Sequence, residues 1–403
     1  MRVDRPFFAA LLLTLPLSAT AKESLPPDPA ESFAYVLAAV QENYARRVSQ
    51  PDLIYAAAES MLDCLDPHSA FLRPRWFQRM REDTSGEFGG LGLVVTKVSD
   101  GPVVVHEPIP DTPADRAGLQ KGDEILAVDG DPTAPMDLDT AVDRMKGRRG
   151  TAVTLSIRRD GWPGPRDFRL VRDRIRMKSV KGRMLEPGYG YAQITAFTEH
   201  TDYYLQAKIE ELRKLNDAPL EGLVLDLRGN PGGLLDQAVR VAELFLPGGK
   251  VVSTIGRDGR GIERHFARAR GTLPHVPTVL LVDAGSASAA EIVAGALQDH
   301  GRALLMGERT FGKGSVQSII ELDDGSGLKL TVARYYTPRD RSIQELGIEP
   351  DVTVRLPLDW IPPGGTDLET AADYILWTAL QTLKAGNRIR SSARSDQDVS
   401  PDG

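Results

Sequence analysis

Val282-Asp283-Ala284-Gly285-Ser286-Ala287-Ser288-Ala289-Ala290-Glu291-Ile292 decides how this chain folds. The apolar run Thr278–Asp283 has the length of a buried strand, a cluster of small residues turns the chain, and Ser288–Gln298 carries helical periodicity. A strand feeding directly into a helix is the unit of an α/β layer structure. The same alternation continues on both sides. Strands are expected at Gly190–Phe197, Leu223–Leu227, Ala303–Met306 and Leu328–Tyr335, and helices at Thr201–Leu215, Leu235–Leu244 and Asp367–Leu383.

Ser288 stands at the strand-to-helix boundary, where unpaired first-turn amides can stabilise a developing negative charge. Ser288-x-x-Glu291 also fits a capping box, in which the serine merely caps the helix. A second segment bears on that choice. In Gly307-Glu308-Arg309-Thr310-Phe311-Gly312-Lys313-Gly314-Ser315-Val316-Gln317, a lysine lies between two glycines just after a strand. A serine hydroxyl is a weak nucleophile and needs a base. A lysine serves if desolvation lowers its pKa, and Phe311 is placed to help dry it. Taken alone, Lys313 also reads as a solvated loop charge. Gln317 can hydrogen-bond the amine, or stand as a polar residue on an exposed strand. A third segment, Leu223-Val224-Leu225-Asp226-Leu227-Arg228-Gly229-Asn230-Pro231-Gly232-Gly233-Leu234-Leu235, ends a buried strand in a glycine-rich turn. Amides of Gly232 or Gly233, together with that of Ala289, can form an oxyanion hole; a plain flexible turn is the alternative.

Upstream, Gly89-Gly90-Leu91-Gly92-Leu93 leads into a strand, with no Gly-Lys-Ser/Thr to make it a phosphate loop. Amides at a strand entrance suit a peptide's terminal carboxylate, and the strand edge can pair with the peptide itself. With Pro113-Ala114 and Ala117-Gly118-Leu119-Gln120-Lys121-Gly122-Asp123-Glu124-Ile125, the stretch resembles a PDZ module. Pro29 to Phe77 is helical in pattern and turns a corner at Leu65-Asp66-Pro67-His68-Ser69.

At 403 residues two or more domains are expected. A net charge of −7, evenly spread, excludes the concentrated basic surface of a nucleic-acid binder. Arg2 and Arg5, the apolar run Phe7–Leu17 and the small residues Ala19-Thr20-Ala21 read as a signal peptide cleaved after Ala21; an uncleaved membrane anchor is the runner-up. Cys64, the only cysteine, is expected to be a buried apolar residue. The six histidines show no metal-binding spacing, and neither metal nor cofactor is expected. A Ser-His-Asp triad stays open, with His300 its nearest candidate.

Taken together and in order, these motifs, with Gly347-Ile348-Glu349-Pro350-Asp351, resemble the C-terminal processing peptidases, or tail-specific proteases, over about residues 29–354. The interval of 25 residues from Ser288 to Lys313 matches that family. The resemblance implies an α/β (α+β) protease core of ClpP or crotonase-like type, with an inserted PDZ domain and an N-terminal helical region. The expected boundaries are 1–21 signal peptide, 29–87 helical region, 88–175 PDZ, 176–356 core, 357–387 C-terminal helical segment and 388–403 disordered tail. It makes Ser288 the nucleophile, chosen over Ser286 because it lies three residues before Glu291, with Lys313 the base and Gln317 its orienting partner. Peptides with accessible C-termini are the expected partners, and an adaptor or self-association is compatible with the family. The expected location is the bacterial periplasm. Two other readings are a catalytically inactive PDZ scaffold and a crotonase-like enzyme acting on thioesters. The second has no use for a receptor for peptide tails.

Overall fold

The computed structural model describes residues 28–268, 273, 276–355, 357, 360 and 373–395, with 389–395 described by backbone alone. The expected signal peptide and residues 396–403 lie outside the described residues. Two helices come first, α1 (Pro29–Asn43) and α2 (Gln50–Asp63), and with the chain up to Cys64 they form a unit of their own. Each begins with a proline in its first turn, where a missing N–H costs nothing. Asp28 caps α1 by accepting the Ala30 amide at 2.9 Å. Cys64 is exposed, contrary to the expectation. It sits two residues past Leu62, the one residue α2 buries, and two residues of helix turn a side chain to the opposite side.

From Leu65 onward the chain forms the second unit. It opens with β1 (Ala70–Leu72) and α3 (Pro74–Ser85), so the segment expected to be only helical also contributes a strand. β2 (Glu87–Gly90) is one half of a two-stranded ribbon. Then come β3 (Leu93–Lys97), β4 (Val103–Pro108), α4 (Pro113–Arg116), β5 (Glu124–Val128), β6 (Asp131–Pro132), α5 (Leu138–Met145), β7 (Ala152–Arg158) and β8 (Arg166–Val171). β9 (Asp173–Arg176) returns to pair with β2. β3 to β8 make a sheet of order β3-β4-β5-β7-β8, with β6 on β5, around a core of Val103, Ile125, Leu155 and Ile157. β3 is terminal in that sheet, so one of its edges is open.

The core follows as β10 (Val180–Glu186), β11 (Tyr189–Ile194), α6 (Thr201–Asn216), β12 (Gly222–Asp226), α7 (Leu235–Glu243), β13 (Lys250–Gly256), β14 (Glu263–Phe266), β15 (Thr278–Val282), α8 (Ala289–Asp299), β16 (Leu304–Gly307), β17 (Ser315–Glu321), β18 (Gly327–Tyr336), β19 (Val352–Thr353) and α9 (Tyr374–Ser395). Its main sheet runs β10-β11-β12-β15-β16-β19, parallel from β11 onward. β12 and β15 are buried at every position, which is why both read as unbroken apolar runs. Their alternate side chains part to opposite faces. Leu223, Leu225, Leu280 and Val282 join one cluster with α6, α7 and α8, while Val224, Val279 and Leu281 join another with Leu376 and Leu380 of α9. A second sheet, β1-β18-β13-β14 with β17 on β18, adds Val251, Val252 and Tyr335 to the first cluster.

The C-terminal helix is displaced from its expected range and continues to Ser395, where a disordered tail was expected from Arg388. Leu376, Leu380 and Leu383 anchor its first turns, and a helix once started adds residues cheaply.

Candidate active site

α8 begins at Ala289, and Ser288 is its N-cap, forming the capping box with Glu291. Capping is therefore real, yet it does not account for the backbone. Ser288 has φ 54° and ψ −113°, a conformation a residue with a Cβ rarely adopts and one that costs about 1–3 kcal/mol. Ser286 has the opposite character. It is fully buried, donates from Oγ to the Leu227 carbonyl at 2.8 Å and accepts the Asp283 amide at 3.0 Å. Ser286 is a brace of the turn, and Ser288 is the half-exposed hydroxyl.

Lys313 lies just before β17, on a loop pressed against residues 344–347. A Cβ on Gly314 would come within 2.3 Å of the Gln344 nitrogen, and one on Gly312, at φ 92°, within 3.1 Å of the Gly347 nitrogen. The flanking glycines are thus required by close approach. Burial lowers the Lys313 pKa, and the nearby positive charge of Lys329 lowers it further, against an opposing pull from Glu291. Phe311 does not supply the dryness expected of it, being 61% exposed.

Both loops end on one carboxylate. Glu291 is fully buried. Its Oε2 accepts the amides of Ser288 and of Lys313, each at 2.8 Å. Its Oε1 accepts the Thr310 hydroxyl at 2.6 Å and the Gly312 amide at 2.7 Å. Burial still holds its carboxyl above the usual carboxylate range, the four hydrogen bonds pulling the other way.

The glycine-rich turn after β12 stands against the serine. A Cβ on Gly232 would meet Ser288 Cβ at 2.7 Å and the Ala289 nitrogen at 3.0 Å. The expected oxyanion role of the Gly232 amide needs correcting, because that N–H donates to Asn230 Oδ1 at 2.8 Å. Asn230, fully buried, also donates to the Ile194 carbonyl and accepts the Ala287 amide on its own carbonyl. This leaves Gly233 and Ala289 as the candidate donors, the latter in the first turn, where no helical carbonyl reaches.

Gln317 also departs from expectation. Its Nε2 donates to Ser315 Oγ at 3.1 Å and Thr331 Oγ1 at 3.0 Å, not to the Lys313 amine. The register explains this, since Gln317 sits directly across from Thr331 at a bulge in the β17–β18 ladder. Thr331 donates on to Asp66 Oδ1 at 3.1 Å, and Asp66 also holds the Ser69 hydroxyl and the amides of His68 and Ser69. The Leu65–Ser69 corner thus reaches the β17–β18 ladder that follows Lys313. His68 feels Lys313: burial and then that charge push its pKa down. His300 caps the far end of the 11-residue α8 and bonds the Lys250 carbonyl, about 18 Å from Ser288 by helical rise. The triad through His300 is therefore excluded.

In the PDZ region, Gly89 and Gly90 belong to β2 rather than to a loop, so the candidate carboxylate loop shortens to Leu91-Gly92 ahead of β3 and Leu93. Gly89 is glycine because a Cβ would meet the Gly147 oxygen at 2.1 Å. Gly92 takes φ 78°.

Fold and site define a serine peptidase with an embedded PDZ domain. Residues 188–354 match the Peptidase family S41 model, and residues 80–158 match the PDZ domain model. The carboxy-terminal-processing protease of Bartonella bacilliformis is 46% identical over 327 residues, covering 81% of this chain and 75% of that protein. The carboxyl-terminal-processing protease of Synechocystis sp. is 37% identical, over 88% of this chain and 83% of its own. The carboxy-terminal processing protease CtpA of Bacillus subtilis is 34% identical, over 89% and 77%. This chain belongs to the carboxy-terminal-processing protease family.

Asn230 and Glu291 are the residues the sequence reading undervalued. Glu291 was visible as a capping-box partner and as the motif glutamate three residues after Ser288, and its three further donors come from 19 to 22 residues downstream.

Proposed function

We propose that this chain is an exported endopeptidase that takes up protein C-termini on its PDZ edge strand and cleaves with Ser288 as nucleophile and Lys313 as general base. The observation that carries this reading is the shared carboxylate: amides of both residues lie within 2.8 Å of one oxygen of Glu291. The strained backbone of Ser288 and the lowered pKa of Lys313 support it.

Neutral Lys313 takes the proton of Ser288 Oγ as that oxygen attacks the scissile carbonyl carbon. The amides of Ala289 and Gly233 stabilise the resulting oxyanion. The C–N bond then breaks, and protonated Lys313 gives its proton to the leaving amine. Neutral Lys313 then deprotonates a water that attacks the acyl-enzyme ester, and as the ester C–O bond breaks the lysine returns that proton to Ser288 Oγ. Gln317 supports the base loop through Thr331 and Asp66 rather than by gripping the amine. The open edge of β3, behind Leu91-Gly92, offers main-chain pairing for an extended tail. Export rests on Arg2, Arg5, the run Phe7–Leu17 and Ala19-Thr20-Ala21, which together direct the chain to the periplasm.

Ser288→Ala and Lys313→Ala should each abolish cleavage of an unstructured substrate while leaving the thermal melt intact. Wild type should be labelled at Ser288 by a fluorophosphonate. Retained cleavage in either variant would remove that residue from its role. N-terminal sequencing of the secreted protein should begin at Lys22.

A further inference from the structure

We propose that Glu291 is the positioning residue of the catalytic pair, a single buried carboxylate that fixes the backbone of nucleophile and base at once. This rests on the Ser288 and Lys313 assignment above. A glutamate that only closes a capping box needs one partner, the N-cap amide. Glu291 has that partner in Ser288 and three more on the other loop, namely Thr310 Oγ1 and the amides of Gly312 and Lys313. The Thr310 hydroxyl is itself oriented, since it accepts the Ile348 amide at 2.7 Å and so turns its proton towards Glu291. Every oxygen lone pair of the carboxylate is thus matched to a donor, the condition under which a buried acid keeps its shape and charge.

The chemistry follows from the geometry. Nucleophile and base sit on different loops, and their separation is set by whatever ties the loops together. An amide cannot replace the acid here. Glutamine would turn an NH2 towards the amides of both Ser288 and Lys313, or towards the Gly312 amide and the Thr310 hydroxyl. One loop would have to move away. A displacement of about 1 Å is enough to cost on the order of 10²-fold in rate.

Charge gives a second, separable readout. Among the described residues, Lys313 is faced by Lys329 from β18, by His68 from the turn before β1 and by the negative charge of Glu291 from α8. Removing that negative charge favours the neutral amine at lower pH.

The test is steady-state kinetics on the full chain with a quenched, unstructured peptide, across pH, for Glu291→Gln and Glu291→Asp. Glu291→Gln should lower kcat by about 10²-fold with KM within about twofold, and should move the acid limb of the pH profile downward. Glu291→Asp keeps the charge but retracts it, so kcat should fall while the acid limb stays near wild type. An unchanged kcat in folded Glu291→Gln overturns the proposal. So does a loss of activity with an unmoved limb, which is the signature of a merely structural residue. If Glu291→Gln does not fold, Thr310→Val removes one donor, and there an unchanged kcat overturns it. Wild type that is not labelled at Ser288 by a fluorophosphonate would instead sink the Ser288 assignment itself.

Discussion

Gly232 abuts Ser288 so closely that a single added carbon on its Cα would lie 2.7 Å from the serine Cβ and 2.8 Å from the Ala287 carbonyl oxygen. Gly232→Ala therefore moves the nucleophile or the turn, and φ 102° strains any side chain placed there. Peptide hydrolysis should fall by about 10²-fold or more, and the thermal melt should show a smaller loss. Full activity in Gly232→Ala would show that the turn has slack the packing does not suggest.

Lys329 and Lys313 repel, which favours the neutral form of the Lys313 amine. On the proposed mechanism the active form is the uncharged amine, so rate should rise as pH climbs through the Lys313 pKa, which lies below the usual lysine range. Lys329→Met removes a positive neighbour and lets the pKa rise. The acid limb of kcat/KM should then shift to higher pH, opposite in sign to Glu291→Gln. A limb that stays put would remove Lys329 from the electrostatics of the base.

Arg228 bridges Asp226 at 2.7 Å and Asp373 at 2.6 Å, pinning the start of α9 to the end of β12. Tyr191 adds its hydroxyl to Asp226 at 2.9 Å. Arg228→Met leaves Asp226, which is fully buried, without its cation. Urea denaturation should show a loss of about 3–5 kcal/mol.

Asp373 titrates below the usual carboxylate range: burial pushes its pKa up, but the Arg228 hydrogen bonds and the Leu376 amide outweigh that. A depressed folded-state pKa contributes stability that is complete above the unfolded value, roughly pH 4, and lost as pH falls through the folded one. Below roughly pH 4 wild type should lose stability more steeply than Asp373→Asn, as read from denaturation midpoints. Parallel slopes would refute the linkage.

Gly92 leads into the edge strand β3 at φ 78°, and a Cβ on it would come within 2.3 Å of Thr112 Cβ. Gly92→Val should weaken binding of a fluorescent C-terminal peptide by at least about tenfold, measured by anisotropy. Unchanged affinity would remove this loop from tail recognition.

The parts of the fold that sequence made legible were those in which one side chain pattern meets one environment. β12 and β15 are buried on both faces, so their apolar runs are continuous, and α8 follows β15 through small residues alone. β10, β13 and β14 were not anticipated, and β17 was weighed only as an alternative setting for Gln317. β17, for instance, mixes Gln317 and Ser318 with Ile319 and Ile320, both of which are exposed, so periodicity gave no face to read. At the site, the turns that carry Ser288 and Lys313 were legible because glycines and small residues surround them. Gln317 was misread because its partner is set by register across the ladder, which local spacing does not encode. The same holds for the Gly232 amide, claimed by a side chain two residues away, and for the second half of Glu291's bonding.

The Asp66–Thr331–Gln317 chain joins residues 265 positions apart on one side and 14 on the other. Asp66 precedes the whole PDZ region, whereas Thr331 follows the loop that carries Lys313. A growing polypeptide accordingly holds its serine and lysine before it holds the strand that completes the support beneath them. Shearing the chain ahead of Ala70 would remove the same prop from a finished molecule. On the proposed chemistry, cleavage therefore waits for a chain that has reached Thr331 and still keeps Asp66.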